Sequence, residues 1–353
     1  MTILLVTKGL DLGGTERVVT DLAVHLAGRG LQVEVALINA RRAAMLPTLR
    51  AAEVTVHALP GNDRVGIRGL IALRRLQRSR RFDVVHAHGP LPIVASRLVA
   101  RSRVVGTLHS MWPSLRRPSR MAVRVMGGLP LIAVSEAVCA SLPPALRRRA
   151  TVIGHGVDLE SAAAARRAAG HRATRDGDVQ LVAVASHRHA KNYGNLLQAV
   201  ALARQAGAAV RLRAIGEGPR LEHDRRLAEQ LGIACYVDFD PPCVDVLREI
   251  AASDIFVLAS DTEGQPIVLI EALATGVPVI ATRVGRAPEL LTSQVGVLVP
   301  PGDPNRLATE IVSLAADPAR RAAMGAAGVQ VARGCSLIAV VDAHVQRYQE
   351  VLR

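Results

Sequence analysis

Short runs of aliphatic and β-branched residues alternate with stretches of helical periodicity along almost the whole chain. The runs Ile3–Thr7, Val33–Ile38, Val54–His57, Val84–His86, Val104–Thr107, Leu131–Val134 and Thr151–Ile153 predict buried strands. Helical spacing fills the gaps, as in Glu16–Ala27, with Thr15 as the expected N-cap, and Gly69–Arg78. The scheme begins again with strands predicted at Gln180–Val184, Val210–Ile215, Ala234–Val237, Ile255–Leu258, Val279–Ala281 and Val297–Val299. Such alternation gives parallel sheets covered by helices, so an α/β chain with two doubly wound domains is expected. The domains are read as residues 1–160 and 179–335. The connector between them, 161–178, is low in large apolar residues, partly helical, and ends in Asp176-Gly177-Asp178. Residues 336–353 form a final amphipathic helix bearing Leu337, Val340, Val341, Val345 and Val351.

The segment from Glu263 to Glu271 carries the most chemistry. The apolar run from Ile267 reads as a helix start, with Pro266 suited to the first turn, where a missing N–H costs little. Gly264 and Gln265 then lie in the loop feeding the helix, where free N–H groups and the dipole favour an anion. Glu271 falls just over two turns on and is expected on much the same side as the loop with Glu263. The preceding strand ends in this loop, and open parallel sheets bind ligands at the carboxyl ends of their strands. An anion site between two carboxylates suits a phosphate flanked by hydroxyl-rich ends, which is the layout of a nucleotide sugar.

Other loops after strands add candidates. In Lys8–Glu16 the paired Gly13 and Gly14 allow close backbone approach, although the spacing fits neither a dinucleotide fingerprint nor a Walker loop. Arg188 and Lys191 put two cations before a helix expected to begin at Asn192, a diphosphate site in which Arg binds two oxygens and Lys acts as a point charge. Gly216, Glu217 and Gly218 follow another strand, and His109 ends one. His86 and His88 alternate in a strand and share a face, but no further ligand follows at metal spacing, so a structural or acceptor-side role is preferred. Asp238-Phe239-Asp240 spells a metal-binding D-x-D that is read here as coincidence. No metal or cofactor is expected.

Composition narrows the partners. Residues 1–160 hold 23 Lys and Arg against 10 Asp and Glu, and residues 161–353 hold 21 against 20. The first half carries arginine clusters at Arg74, Arg75, Arg78, Arg80 and Arg81, at Arg97, Arg101 and Arg103, at Arg116, Arg117, Arg120 and Arg124, and at Arg147–Arg149. A basic half beside a neutral half points to an anionic partner of the first. Aromatics are only 2% of residues, which argues against nucleic-acid stacking platforms. Lysine occurs only at Lys8 and Lys191, each in a loop after a predicted strand, where a compact ammonium replaces the usual planar fork. Four scattered cysteines suit a reducing compartment, and neither a leader nor an apolar run of membrane-spanning length is read. The expected location is cytoplasmic, peripheral on the inner face of the membrane.

The segment Ser253–Leu290 (S-D-I-F-V-L-A-S-D-T-E-G-Q-P-I-V-L-I-E-A-L-A-T-G-V-P-V-I-A-T-R-V-G-R-A-P-E-L) resembles the signature of the retaining glycosyltransferases of family 4, which have the GT-B fold. The pieces G-L-D-L-G-G-T-E-R-V-V, V-V-G-T-L-H-S-M-W, I-A-V-S-E-A-V, V-I-G-H-G-V-D, V-A-S-H-R-H-A-K-N and A-I-G-E-G-P-R-L-E agree in order, so the likeness spans nearly the whole chain. It implies two Rossmann-like domains facing a cleft, the first for the acceptor and the second for the nucleotide-sugar donor, with the last helix crossing back to the first. It also implies roles. Glu263 orients sugar hydroxyls, Glu271 holds the ribose, and Gly264, Gln265, Pro266 and Ile267 line the donor site. Lys191 and Arg188 offset the leaving diphosphate, Gly216 and Glu217 flank the nucleotide, Gly13 and Gly14 lie by the diphosphate and acceptor, and His109 contacts the transferred sugar. Departures occur at Ala185 and Ser186, where the family has Gly-Arg, and at Arg286 and His155. The implied reaction is front-face transfer of a hexose or N-acetylhexosamine from a UDP- or GDP-sugar to a membrane-borne lipid-linked or polysaccharide acceptor. An epimerase of the same fold and a transferase with a soluble acceptor stay open as alternatives.

Overall fold

The computed structural model describes residues 1–39, 43–60, 66–100, 102–112, 120–169 and 177–353. Arg101, Arg116, Arg117 and connector residues 170–176 lie outside the described residues, as does the side chain of Arg120. The chain divides into two compact units, Met1–His155 with Ile338–Arg353, and Gly156–Leu337. The last helix, Leu337–Leu352, thus returns the chain to the first unit.

Unit 1 holds seven parallel strands, β1 (Thr2–Thr7), β2 (Gln32–Leu37), β3 (Thr55–Ala58), β4 (Val84–His88), β5 (Arg103–Leu108), β6 (Leu131–Ala133) and β7 (Ala150–Val152). Their order is β3-β2-β1-β4-β5-β6-β7, so the winding reverses between β1 and β4. Unit 2 holds β8 (Val179–Val184), β9 (Val210–Ile215), β10 (Val237–Asp240), β11 (Ile255–Leu258), β12 (Val279–Thr282) and β13 (Gly296–Val299). The order β10-β9-β8-β11-β12-β13 reverses between β8 and β11. Crevices for ligands open at such reversal points, beyond the carboxyl ends of the strands. The loops after β1, β4, β8 and β11 therefore occupy the positions that matter most.

Both faces of the second sheet are buried, which is why its strands read as unbroken apolar runs. Leu181, Ala183, Ile255 and Val257 join one core cluster, and the alternating Val182, Phe256 and Leu258 join another. In unit 1, Leu4, Val6, Val85, Ala87, Leu131 and Ala133 share a cluster with Leu73, Ile93 and Met126 from the covering helices.

Strand positions follow the sequence reading closely, with one exception. Ala234–Tyr236 form a 3-10 turn and the strand begins at Val237, so the D-x-D lies within β10. Its aspartates serve the fold: Asp240 accepts from Arg213 at 2.8 Å, and Asp238 lies 3.8 Å from Arg211.

Candidate functional site

Because β8 and β11 are paired neighbours, the loops that leave them run side by side. The Asp261 N–H donates to the Ala190 carbonyl at 2.9 Å, and the Asn192 amide donates to the Asp261 carboxylate at 2.7 Å. Across this seam the Lys191 ammonium meets Glu263 Oε1 at 2.5 Å, and the Ser260 hydroxyl donates to the same oxygen at 2.7 Å. Ser260 is fixed in turn by Thr282, whose hydroxyl donates to its carbonyl at 2.6 Å.

Lys191 closes a short 3-10 turn, His189–Lys191, and Asn192 then caps the helix Tyr193–Gln205. Asn192 takes the left-handed conformation, φ 44°, which Asn tolerates better than most residues, and its side chain accepts the Asn195 N–H at 3.1 Å. The ammonium thus stands just ahead of a helix N-terminus, where backbone N–H groups and the dipole add to its field. Arg188 is exposed on the same loop, and its guanidinium makes no hydrogen bond or ion pair among the described residues. The sequence expectation that the helix begins at Asn192 becomes a cap at Asn192 and a first turn at Tyr193.

Gly216 and Glu217 press on this loop from β9. A Cβ at Gly216 would lie 2.0 Å from the Ala185 carbonyl, so only glycine permits the approach. The Glu217 carbonyl accepts the His187 N–H at 2.8 Å, while the Glu217 carboxylate is on an exposed residue. Behind the loop, buried His187 bonds Asp224 through Nδ1 at 2.8 Å and stacks on Tyr193 with 3.9 Å between centroids.

Gly264, Gln265, Pro266 and Ile267 are all buried in the turn that feeds the helix Ile267–Thr275. Pro266 occupies the cap position rather than the first turn, where its missing N–H still costs nothing. Gly285, at φ 52°, backs the turn, since a Cβ there would come within 2.6 Å of the Gly264 carbonyl. Glu271 follows on the buried length of the helix and is 3% exposed.

In unit 1 the helix Gly14–Gly28 starts earlier than its sequence suggested. Gly13 is the N-cap, with φ −126°, and its carbonyl accepts the Arg17 N–H at 2.9 Å; Thr15 therefore lies in the first turn and does not cap. His109, just beyond β5, joins a cluster that sequence reasoning saw only in part. His86 and His88 do share a face of β4, with rings 4.1 Å apart. His86 is held by the Tyr348 hydroxyl at 2.7 Å and the Thr107 hydroxyl at 2.6 Å. His109 bonds His88 at 3.1 Å and His155 at 3.2 Å, and His344 packs on His86 at 5.5 Å. No three His, Cys, Asp or Glu among the described residues are arranged to hold a metal. The signal for the missed members was His344 and Tyr348, one turn apart on the last helix.

Burial holds these imidazoles neutral. His344 is pushed down to about 4, and His86 and His88 lie well below the ordinary value, with neighbouring histidines adding to the effect of burial. The unfolded chain binds protons at these sites below about pH 6.5, whereas the folded one does not. The stabilisation is therefore complete above that pH and is lost as pH falls toward about 4. The melting temperature of the whole protein should drop steadily from pH 7 to pH 5. A His344→Leu variant should lose part of that slope, and an equal slope in both proteins would show that His344 does not titrate this way.

Both halves of the chain resemble known proteins. Residues 178–317 match the family model described as glycosyl transferases group 1, and residues 12–161 match that of glycosyltransferase family 4. The D-inositol 3-phosphate glycosyltransferase of Thermobifida fusca is 27% identical over 97% of this chain and 89% of its own. A GDP-mannose-dependent alpha-(1-6)-phosphatidylinositol monomannoside mannosyltransferase of Mycolicibacterium smegmatis is 40% identical over 32% of each chain. Among solved structures, Anabaena HepE in complex with UDP-glucose aligns over 100% of this chain and 99% of its own, with TM-score 0.83 and 22% identity. The sucrose-phosphate synthase of Thermosynechococcus elongatus aligns over 99% of each chain, with TM-score 0.82 and 19% identity. Two parallel-sheet α/β units of this kind are the GT-B fold.

Proposed function

The chain belongs to glycosyltransferase family 4, and from that premise we propose that it moves a hexose or N-acetylhexosamine, with retention, from a UDP- or GDP-sugar to a phosphate-bearing acceptor at the membrane. The observation that carries this reading is the Lys191–Glu263 pair at the carboxyl ends of the switch-point strands, beside a helix N-terminus. Negative charge grows on the departing diphosphate as the glycosidic bond breaks. Lys191, Arg188 and the N–H groups ahead of Tyr193 offset that charge where it develops. Glu263, freed from full engagement with Lys191 as the diphosphate arrives, takes sugar hydroxyls. Glu271 takes the ribose, the Gly264–Ile267 turn and the Gly216–Glu217 turn flank the nucleotide, and Gly13, Gly14 and His109 serve the sugar and acceptor. The donor phosphate accepts the acceptor proton on the front face, so no enzymic base is required. A panel of nucleotide sugars tests the donor: one UDP- or GDP-sugar should raise the melting temperature by several degrees, while sugar phosphates without a nucleoside should not. No shift with any nucleotide sugar would sink the reading.

The charge of the first half supports an acceptor at an anionic surface. The helix Ile67–Ser79 exposes Ile67 (77%) and Ile71 (45%) beside exposed Arg68, Arg74, Arg75 and Arg78. Exposed Arg97 and Leu98 lie on the helix Pro90–Val99, which packs against it. Apolar residues set among arginines suit the interface of an acidic bilayer, where each cation contributes on the order of 1 kcal/mol. No helix among the described residues is long and apolar enough to cross a membrane. The relative named for D-inositol 3-phosphate favours a second reading, a soluble phosphorylated polyol as acceptor. Flotation separates them: the whole protein should float with phosphatidylserine-containing vesicles at low salt and not with phosphatidylcholine alone. Equal binding to both, or to neither, favours the soluble acceptor.

A further inference from the structure

Glu263 Oε1 receives two hydrogen bonds, one from the Lys191 ammonium and one from the Ser260 hydroxyl. Two donors take up the lone pairs of that oxygen. Oε2 makes no hydrogen bond among the described residues, so it is the oxygen left for a ligand. The Glu263 side chain keeps 10% exposure, beside a Lys191 side chain at 25%.

The two donors differ in freedom. Lys191 ends a surface 3-10 turn on a flexible stem, and its ammonium has three N–H groups to share with an arriving anion. Ser260 stands two residues beyond β11, is 1% exposed, and has a side chain too short to reach elsewhere. Its backbone is tied to β12, because the Thr282 hydroxyl donates to its carbonyl at 2.6 Å. Its own hydroxyl has Glu263 as acceptor, and losing that acceptor would leave a buried donor unpaired. The Glu263 backbone is confined as well, since a Cβ at Gly285 would come within 2.8 Å of the Glu263 carbonyl. A diphosphate that draws on Lys191 therefore loosens one bond to Oε1 and leaves the other.

We propose that Ser260 is a positioning residue for sugar transfer. It holds Oε1 as a pivot, about which the carboxylate turns Oε2 to the donor sugar once Lys191 engages the diphosphate. The sugar is then met by one carboxylate oxygen, and only after the phosphate is held. Without the Ser260 hydroxyl, the remaining partner of Oε1 is the ammonium, and Glu263 stays with Lys191 instead of the sugar. The inference rests on the reading of Glu263 as a sugar contact. It adds to that reading a residue that acts on the sugar through Glu263 alone.

The test uses the whole protein as Ser260→Ala, as Glu263→Ala and as the double variant. Calorimetry measures affinity for UDP-glucose, UDP-N-acetylglucosamine and GDP-mannose. The one that binds the wild type most tightly is compared with its own nucleoside diphosphate, UDP or GDP. Ser260→Ala should bind the nucleotide sugar about fivefold to tenfold more weakly, the scale of one hydrogen bond, with the nucleoside diphosphate within about twofold. A merely structural role for Ser260 would weaken both alike. Adding Ser260→Ala to Glu263→Ala should cost less than about twofold further, because nothing is left to position. Wild-type affinity for the nucleotide sugar in Ser260→Ala, or an equal loss for the nucleoside diphosphate, overturns the proposal, as does a fully additive loss in the double variant. Glu263→Ala separates the two levels. Unchanged nucleotide-sugar affinity there, or no binding of any of the three by the wild type, removes the reading of Glu263 and the inference together. A selective loss in Glu263→Ala beside wild-type behaviour of Ser260→Ala removes the inference alone.

Discussion

Replacing Lys191 with Ala should cut turnover roughly a hundredfold or more while leaving the protein folded, in line with the loss of one preorganised donor at a developing anion. Lys191 lies at the end of a surface 3-10 turn and is only half-buried, so its side chain contributes little packing. Its position is nevertheless fixed, by Glu263 on one side and by the Asn192–Asp261 and Ala190–Asp261 bonds beneath it. On the proposed reading the bonds of Asp261 beneath the loop keep the ammonium in place when Glu263 turns to the sugar, so its charge is already positioned as the diphosphate leaves. The loss should fall on kcat. Glu263 keeps its bond from Ser260 in the variant, so the melting temperature should move by only a few degrees. Wild-type rates of nucleoside diphosphate release would remove Lys191 from the leaving-group site.

Glu271→Gln should behave in the opposite way. On the proposed reading the buried Glu271 carboxylate would accept two ribose hydroxyls through its two oxygens, whereas an amide of the same shape offers one acceptor and a donor. Hydrogen bonds to a charged group are worth about 1.5–3 kcal/mol, so donor affinity should fall about tenfold to a hundredfold. The ribose does not change during the reaction, so kcat at saturating donor should stay close to wild type. Gln is preferred to Ala here because Glu271 is 3% exposed and truncation would open a cavity in the helix packing. Calorimetric titration with UDP and GDP reads the effect, and unchanged affinity for both takes Glu271 out of the site.

Much of this was legible in the chain because it is local. Unbroken apolar runs marked strands buried on both faces, and β8 and β11 appeared nearly where they were expected. Lys191, Arg188 and Glu263 sit in loops directly after such strands, and Glu271 in the helix that follows, so short-range pattern alone marks them. The boundaries that shifted did so for local reasons as well. Gly13 takes an extended conformation and caps the first helix ahead of Thr15, and the apolar Ala234–Tyr236 fold as a 3-10 turn too short to show a period. What sequence could not show is long-range. The Tyr348 hydroxyl reaches His86 across 262 positions, and Asn192 reaches Asp261 across 69. Neither pair has a spacing that announces it, since each depends on which strands become neighbours. The histidine cluster is the clearest instance: His86, His88 and His109 were visible in the chain, but their contacts with one another and with Tyr348 exist only once β4, β5 and the last helix meet.

Amide hydrogen exchange on the full chain, with and without saturating UDP or GDP, tests most directly whether the second unit holds the donor. Slowed exchange is predicted in residues 186–195, 216–220 and 262–272, the segments that carry Lys191, Gly216, Glu263 and Glu271, with at least one of the two nucleotides. Protection confined to unit 1, or none with either nucleotide, would contradict the assignment of the donor site to these loops.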